Sequence, residues 1–199
     1  MQKPYAESCE QNGPPILNVL REVLEGPLDL LEIGSGTGQH AVMFGGAFPD
    51  VQWQTSDRLE MHAGINLWLG EAGLINVQAP IPLDVLDDPW PERQYDVVFS
   101  ANTAHIMPPQ GVEAMFSGVS RVLAAGGLFL IYGPFMYDGR HTSESNREFD
   151  RWLKFRESHQ GVRDVAWLKQ IATPLELELA RDVAMPANNR ILIWRRKAD

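Results

Sequence analysis

Three short patterns in the chain carry residue types that can hold a charged, sugar-bearing ligand. The first is Glu32-Ile33-Gly34-Ser35-Gly36-Thr37-Gly38. Glycines let a backbone turn sharply and approach a ligand closely. A helix beginning after them offers unpaired N–H groups and the positive end of a dipole, where an anionic group can sit. The glycines fall as G-x-G-x-G behind an acidic residue, whereas a dinucleotide site prefers G-x-G-x-x-G. The second pattern is Asp57, roughly twenty residues further on, where a carboxylate can accept hydrogen bonds from both hydroxyls of a ribose. The third is Asp84-Val85, which reads either as a ligand contact or, with Asp87 and Asp88, as a solvated acidic loop.

The elements that must position these residues are strands and helices in alternation. Strands are expected at Leu28 to Ile33, Val51 to Ser56, Val77 to Leu83, Tyr95 to Ser100 and Leu128 to Tyr132. Helices are expected at about Gln39 to Phe48, Glu60 to Ala72 and Val112 to Leu123, the last closed by Gly126-Gly127 as a C-cap. Near-continuous apolar strands of this kind belong to a parallel sheet covered on both faces. All three patterns then fall at carboxyl ends of neighbouring strands, where open α/β sheets bind ligands.

The alternation breaks at Gly133 to Gly161, which reads as a loop and then a helix with Phe149, Trp152, Leu153 and Arg156 on one side, an insertion or lid over the sheet edge. A helix over Asp164 to Ala172 follows. Two strands, Leu175 to Val183 and Arg190 to Trp194, joined by the turn-rich Met185-Pro186-Ala187-Asn188-Asn189, form an antiparallel hairpin. Tyr5 to Asn12 carries no strong strand or helix signal and reads as a segment over the ligand or a frayed end. The whole chain, 1–199, reads as one domain.

With the terminal hairpin, the motifs resemble class I methyltransferases dependent on S-adenosylmethionine (SAM). The resemblance implies a Rossmann-like fold with a seven-stranded, mostly parallel sheet. It implies that Glu32, Gly34, Ser35, Gly36 and Gly38 hold the methionine end of the cofactor. Asp57 takes the ribose with Arg58 beside it, Asp84 and the Val85 amide read the adenine, and Asn102 lies near the transferable methyl. Six segments, Asn12 to Leu17, Ala101 to Ile106, Tyr132 to Phe135, Ser143 to Asn146, Gly161 to Asp164 and Met185 to Asn189, are similar to a narrower methyltransferase-like family of unknown substrate that includes methyltransferase-like protein 26. That likeness implies fold and cofactor and supplies no reaction.

A sulfonium is an activated methyl donor, so the protein's task is alignment, with a general base only where the acceptor must lose a proton. His105 and Tyr132 are the candidates for that chemistry. Their alternatives are a histidine bonded to a nearby carbonyl and a core aromatic. Asn146, Arg163, Asp164, Asn188 and Asn189 are candidates for touching the acceptor, although Asp164 also suits a helix N-cap and Asn189 a turn.

Composition narrows the classes. The net charge of −9 argues against a nucleic-acid partner. The late run Arg195-Arg196-Lys197 reads as a solubilising end, and Arg147, Arg151 and Lys154, alternating with Glu148, Asp150 and Glu157, read as a salt-bridged helix face. Cys9 is the single cysteine, so no intrachain disulfide is possible and a reducing compartment is expected. Met1 to Tyr5 lacks a signal-peptide pattern, and no apolar run approaches the roughly eighteen residues of a membrane span. A cytoplasmic protein is therefore expected. The histidines show no metal-ligand spacing, and a G-x-S-x-G elbow is absent. Asn102-Thr103-Ala104-His105 lacks the Asn-Pro-Pro-aromatic run of many base and protein N-methylases. A small-molecule acceptor is expected, with a non-catalytic SAM-binding or scaffold protein as the alternative.

Overall fold

The computed structural model describes residues 2–198. In chain order it contains α1 (Glu7–Leu20), β1 (Leu28–Ile33), α2 (Gln39–Ala47), β2 (Val51–Asp57), α3 (His62–Ala72), β3 (Val77–Pro82), β4 (Tyr95–Ala101), α4 (Pro109–Val122), β5 (Leu123–Gly133), β6 (Phe135–Tyr137), β7 (Arg140–His141), α5 (Glu144–Arg156), β8 (Arg163–Asp164), α6 (Val165–Ala172), β9 (Leu177–Ala184) and β10 (Arg190–Arg196). The main sheet runs β3-β2-β1-β4-β5-β10-β9. β1 to β5 pair in parallel, and β10 is antiparallel to both β5 and β9. This is the Rossmann-like, seven-stranded and mostly parallel sheet that the resemblance to class I methyltransferases implied.

Period-two alternation sends successive strand residues to opposite faces. Leu31, Val98, Phe129 and Trp194 join Val112, Met115, Phe116 and Val119 of α4 and Leu168 of α6 in one core. Leu30, Trp53, Phe99 and Leu130 join Ile16 and Leu20 of α1 and Phe44 of α2 in the other. The central strands β1, β4, β5 and β10 are thus apolar on both sides and fixed in register, because a slip of one residue would exchange the two cores.

Three expectations change. Residues 7–20 form a helix where no firm element was expected. Pro14 and Pro15 lie inside it, and proline removes a helical hydrogen bond. Burial of Ile16, Val19 and Leu20 overrides that cost, as does the close approach to α2: a Cβ on Gly13 would fall 2.5 Å from Met43 Sδ. The Gly126-Gly127 pair does not cap α4, which ends at Val122 with an extended Leu123. Gly126 instead takes φ +75° inside β5, where pairing with β4 shifts register between Tyr95 and Val97. The stretch before α5 is not a plain loop, since β6 pairs with β7 and β8 in a small second sheet. Among the described residues no helix is long and apolar enough to cross a membrane.

Candidate functional site

The glycine loop is built by its neighbours. Glu32 is 2 % exposed, and its Oε2 accepts from Ser35 Oγ at 2.9 Å and from Trp53 Nε1 at 3.0 Å. Ser35 N donates to Ser56 O at 2.9 Å, joining the loop to β2. Gly34 and Gly38 take φ +70° and +90°, and a Cβ on Gly34 would fall 2.6 Å from Thr103 Cγ2. Only glycine satisfies both conditions at Gly34. Gly36 N donates to Asp57 Oδ2 at 2.7 Å, and Arg58 N donates to Asp57 Oδ1 at 2.8 Å. Burial raises the pKa of Asp57, opposed by these two amides, and burial pushes that of Glu32 up to about 7, opposed by Trp53 and Ser35.

This frame opens on a cavity of about 700 Å³ at the carboxyl ends of β1 to β4. Gly34, Ser35, Gly36, Asp57 and Arg58 line it, together with Asp84, Val85 and Asn102. Asn102 holds φ +60°, and its N–H donates to Tyr132 O at 2.9 Å. A non-glycine residue in that region carries strain, and such strain collects at ligand sites. Asp84 Oδ1 accepts from Leu86 N at 3.0 Å, so it shapes its own turn as well as facing the cavity.

The other residues singled out by sequence lie off this wall. Glu32 sits beneath the loop, and Gly38 caps α2 against Ile65. The His105 ring is 7 % exposed and meets Phe149 edge-on at 5.4 Å. Burial first, then the charge of Arg163, lowers its pKa to about 4, leaving the imidazole neutral at pH 7. Tyr132 is buried, and burial raises its pKa, opposed by the side chains of Asn12 and Asn189. Asn146 Nδ2 donates to Thr142 Oγ1 at 2.9 Å and Asn188 O at 3.0 Å, so these two candidates meet each other. Asp164 caps α6 through Ala166 N at 2.7 Å and accepts from Gly139 N at 2.6 Å.

Arg163 lines a smaller hollow of about 350 Å³ with Asp164. Its guanidinium donates to Ala104 O at 3.0 Å and His159 O at 2.9 Å, and to Met107 O. Arg163→Met should strip three carbonyls of a charged donor. A loss of about 2–3 kcal/mol in unfolding free energy is expected in urea titration, and an unchanged midpoint would show that water replaces the contacts.

Of the two readings of Tyr5 to Asn12, a segment over the ligand or a frayed end, the fold matches the first, although no residue in it was singled out. Ala6, Ser8 and Cys9 line the cavity beside His40, whose Nε2 lies 2.7 Å from Asn12 Oδ1. Residues 3–6 are strapped across α2 and α3. Lys3 Nζ stands 3.7 Å over the Trp68 ring and 2.6 Å from Glu71 Oε2, and Trp68 Nε1 donates to Pro4 O at 2.7 Å. Ala6 N donates to Gln39 Oε1 at 2.6 Å. No local pattern announces these partners, because they lie tens of residues apart. Glu157, His159 and Gln160, after α5, complete the opposite wall.

A family model described as a protein of unknown function (DUF938) matches residues 3–196. Among solved structures, an O-methyltransferase family protein from Burkholderia thailandensis superposes with a TM-score of 0.79 at 16 % identity, over 94 % of this chain and 56 % of its own. An O-methyltransferase family 2 protein from Planctomyces limnophilus in complex with apigenin gives 0.81 at 16 %, over 95 % and 58 %. Human N-acetylserotonin methyltransferase in complex with SAM gives 0.78 at 15 %, over 97 % and 53 %. The chain therefore spans little more than half the length of these structures, and at such identities the likeness is one of fold.

Proposed function

Because the chain belongs to DUF938, a family of unknown function, its activity must be read from its own site, and we propose that it is a SAM-dependent methyltransferase acting on a small molecule. The observation that carries this reading is the joint placement of Gly34 to Gly36, Asp57, Asp84 and Asn102 on one cavity wall. The donor set fits the cofactor. Asp57 and Asp84 supply acceptors for ribose hydroxyls and an adenine amino group, Leu83 and Val85 supply apolar surface, and Gly36, with nothing within 4 Å of a Cβ, leaves bare backbone facing open space. When bound, SAM supplies an activated methyl group on a sulfonium.

The chain's own work is then to bind, orient and exclude water. Glu32 holds the loop rigid through Ser35 and Trp53. Asp57 ties that loop to β2 through the Gly36 amide. The N-terminal strap walls the site from one side and residues 157–160 from the other, and a site closed to water strengthens every polar contact within it. His105 and Tyr132 remain candidates for the chemical step. With both side chains off the cavity wall, they would act by holding the segment after β4 rather than by touching an acceptor. The similarity to the methyltransferase-like protein 26 family is proposed on the same footing, as is the absence of a nucleic-acid partner. Arg163, Asp164 and the Asn146–Asn188 pair are proposed to shape the acceptor side through the contacts that hold its rim.

Calorimetry with S-adenosylhomocysteine and NAD tests the cofactor. Binding of the former and not the latter is expected, together with slower alkylation of Cys9, the single thiol and a wall residue. Binding of NAD alone would overturn the reading. Binding without methyl transfer to any metabolite pool would favour a non-catalytic SAM-binding protein.

A further inference from the structure

His40, in the first turn of α2, lies on the cavity lining although it is only 6 % exposed. Its ring is held by α1 and by its own helix. It stacks on Phe44 with centroids 5.1 Å apart and planes 12° from parallel. Its Cδ2 edge faces α1, where a Cβ on Gly13 would come within 4.0 Å. Its Nε2 lies 2.7 Å from Asn12 Oδ1, also on α1. The Cε1–Nδ1 edge is the part of the ring left to face the cavity.

The placement of the ring proton follows from these contacts. An amide oxygen only accepts, so Nε2 carries the hydrogen of the bond to Asn12. Burial lowers the His40 pKa to about 4, so at pH 7 the imidazole is neutral and has one proton for its two nitrogens. Nδ1 is therefore bare and can only accept. It has no hydrogen-bond partner among the described residues. Nor is it sealed: the buried side-chain atoms closed to solvent without a partner are His141 Nδ1, Gln160 Oε1 and Trp194 Nε1. Nδ1 is thus an open acceptor on a ring that has lost most of its water, and a donor arriving there makes a bond that bulk solvent scarcely supplies. Asp57 and Asp84, read above as the ribose and adenine contacts, follow β2 and β3, whereas His40 follows the glycine loop after β1 and is tied to α1.

We propose that His40 is a substrate-recognition residue whose Nδ1 accepts a hydrogen bond from an O–H or N–H of the small molecule to be methylated. Asn12 is its positioning residue, because the bond to Nε2 fixes which nitrogen is bare. This rests on the methyltransferase reading for calling the ligand a substrate, but not for its chemistry.

Phenol and aniline carry a donor, and anisole and N,N-dimethylaniline are the same rings without one. Nitrogen NMR of histidine-labelled protein, free and with S-adenosylhomocysteine, should find the His40 proton on Nε2 and a bare Nδ1. At millimolar concentration phenol or aniline should move the Nδ1 signal, and the methylated rings should not. His40→Gln keeps an amide N–H for Asn12 Oδ1 and removes Nδ1. It should lower the preference for phenol over anisole about five- to tenfold, the net effect of one hydrogen bond, with S-adenosylhomocysteine affinity unchanged. A proton on Nδ1, an Nδ1 signal unmoved by both donors, or an unchanged preference in the variant would overturn the proposal. So would a variant that loses S-adenosylhomocysteine affinity, since the donor would then belong to the cofactor. The spectra of the wild type decide the matter if His40→Gln fails to fold. Failure of S-adenosylhomocysteine to bind the wild type would count against the methyltransferase reading, while the response of Nδ1 in the free protein still judges His40.

Discussion

Asp57→Ala is expected to weaken S-adenosylhomocysteine binding by roughly 30- to 150-fold, the loss of about 2–3 kcal/mol from two charge-assisted hydrogen bonds to ribose hydroxyls. Both carboxylate oxygens already accept from backbone, Oδ2 from Gly36 N and Oδ1 from Arg58 N, yet each keeps a second lone pair for a ligand on the cavity side. The variant also frees the Gly36 amide, so part of the loss arises from a looser loop. A double-mutant cycle with the 2′-deoxy ligand separates the two causes. If ribose contact dominates, the deoxy ligand loses affinity in the wild type and little more in the variant. Equal penalties in both proteins would assign the whole effect to the loop. The chain should stay folded by circular dichroism, because Asp57 closes a strand at the cavity rather than filling either core.

The residues whose placement was legible in the sequence are those fixed by local offsets. The glycine loop, Asp57 and Asn102 each follow a strand at a fixed offset, so the alternation of β and α elements alone brings them to one end of the sheet. The central strands were legible because two cores demand apolar residues on both of their faces. α1 was not, because Gly13-Pro14-Pro15 contradicts helix propensity and only the tertiary contact with Met43 and the core makes it helical. The N-terminal wall was therefore legible only as one of two alternatives, with none of its residues named. Asn146, Asp164, Asn188 and Asn189 drew notice as polar loop residues, yet every one is occupied by contacts that shape turns or join segments. Polarity on a loop does not distinguish a residue that meets a ligand from one that ties the loop together.

Glu32→Gln is expected to change how stability depends on pH by about 3 kcal/mol. Burial is the main cause of the raised pKa of Glu32, which moves from its ordinary 4.5 to about 7. The groups facing it are Ser35, Trp53 and, through charge, Asp57. A carboxyl raised on folding binds its proton more tightly in the native state. Its contribution is therefore greatest below pH 4.5 and is lost as pH rises towards 7, which over some 2.5 units amounts to roughly 3 kcal/mol. His40 and His105 act oppositely. Burial lowers both to about 4, so their stabilisation is full above about pH 6.5 and is lost as pH falls through 4. The wild-type profile sums these opposing trends and identifies none of them. The difference between variant and wild type isolates Glu32, since glutamine keeps an oxygen for Trp53 Nε1 and Ser35 Oγ and carries no charge to desolvate. Urea titrations at pH 4.5, 6 and 8 should find the variant gaining on the wild type at each step. A difference independent of pH would mean that the buried carboxyl titrates normally, and a difference falling with pH would mean that the loop stabilises its ionised form.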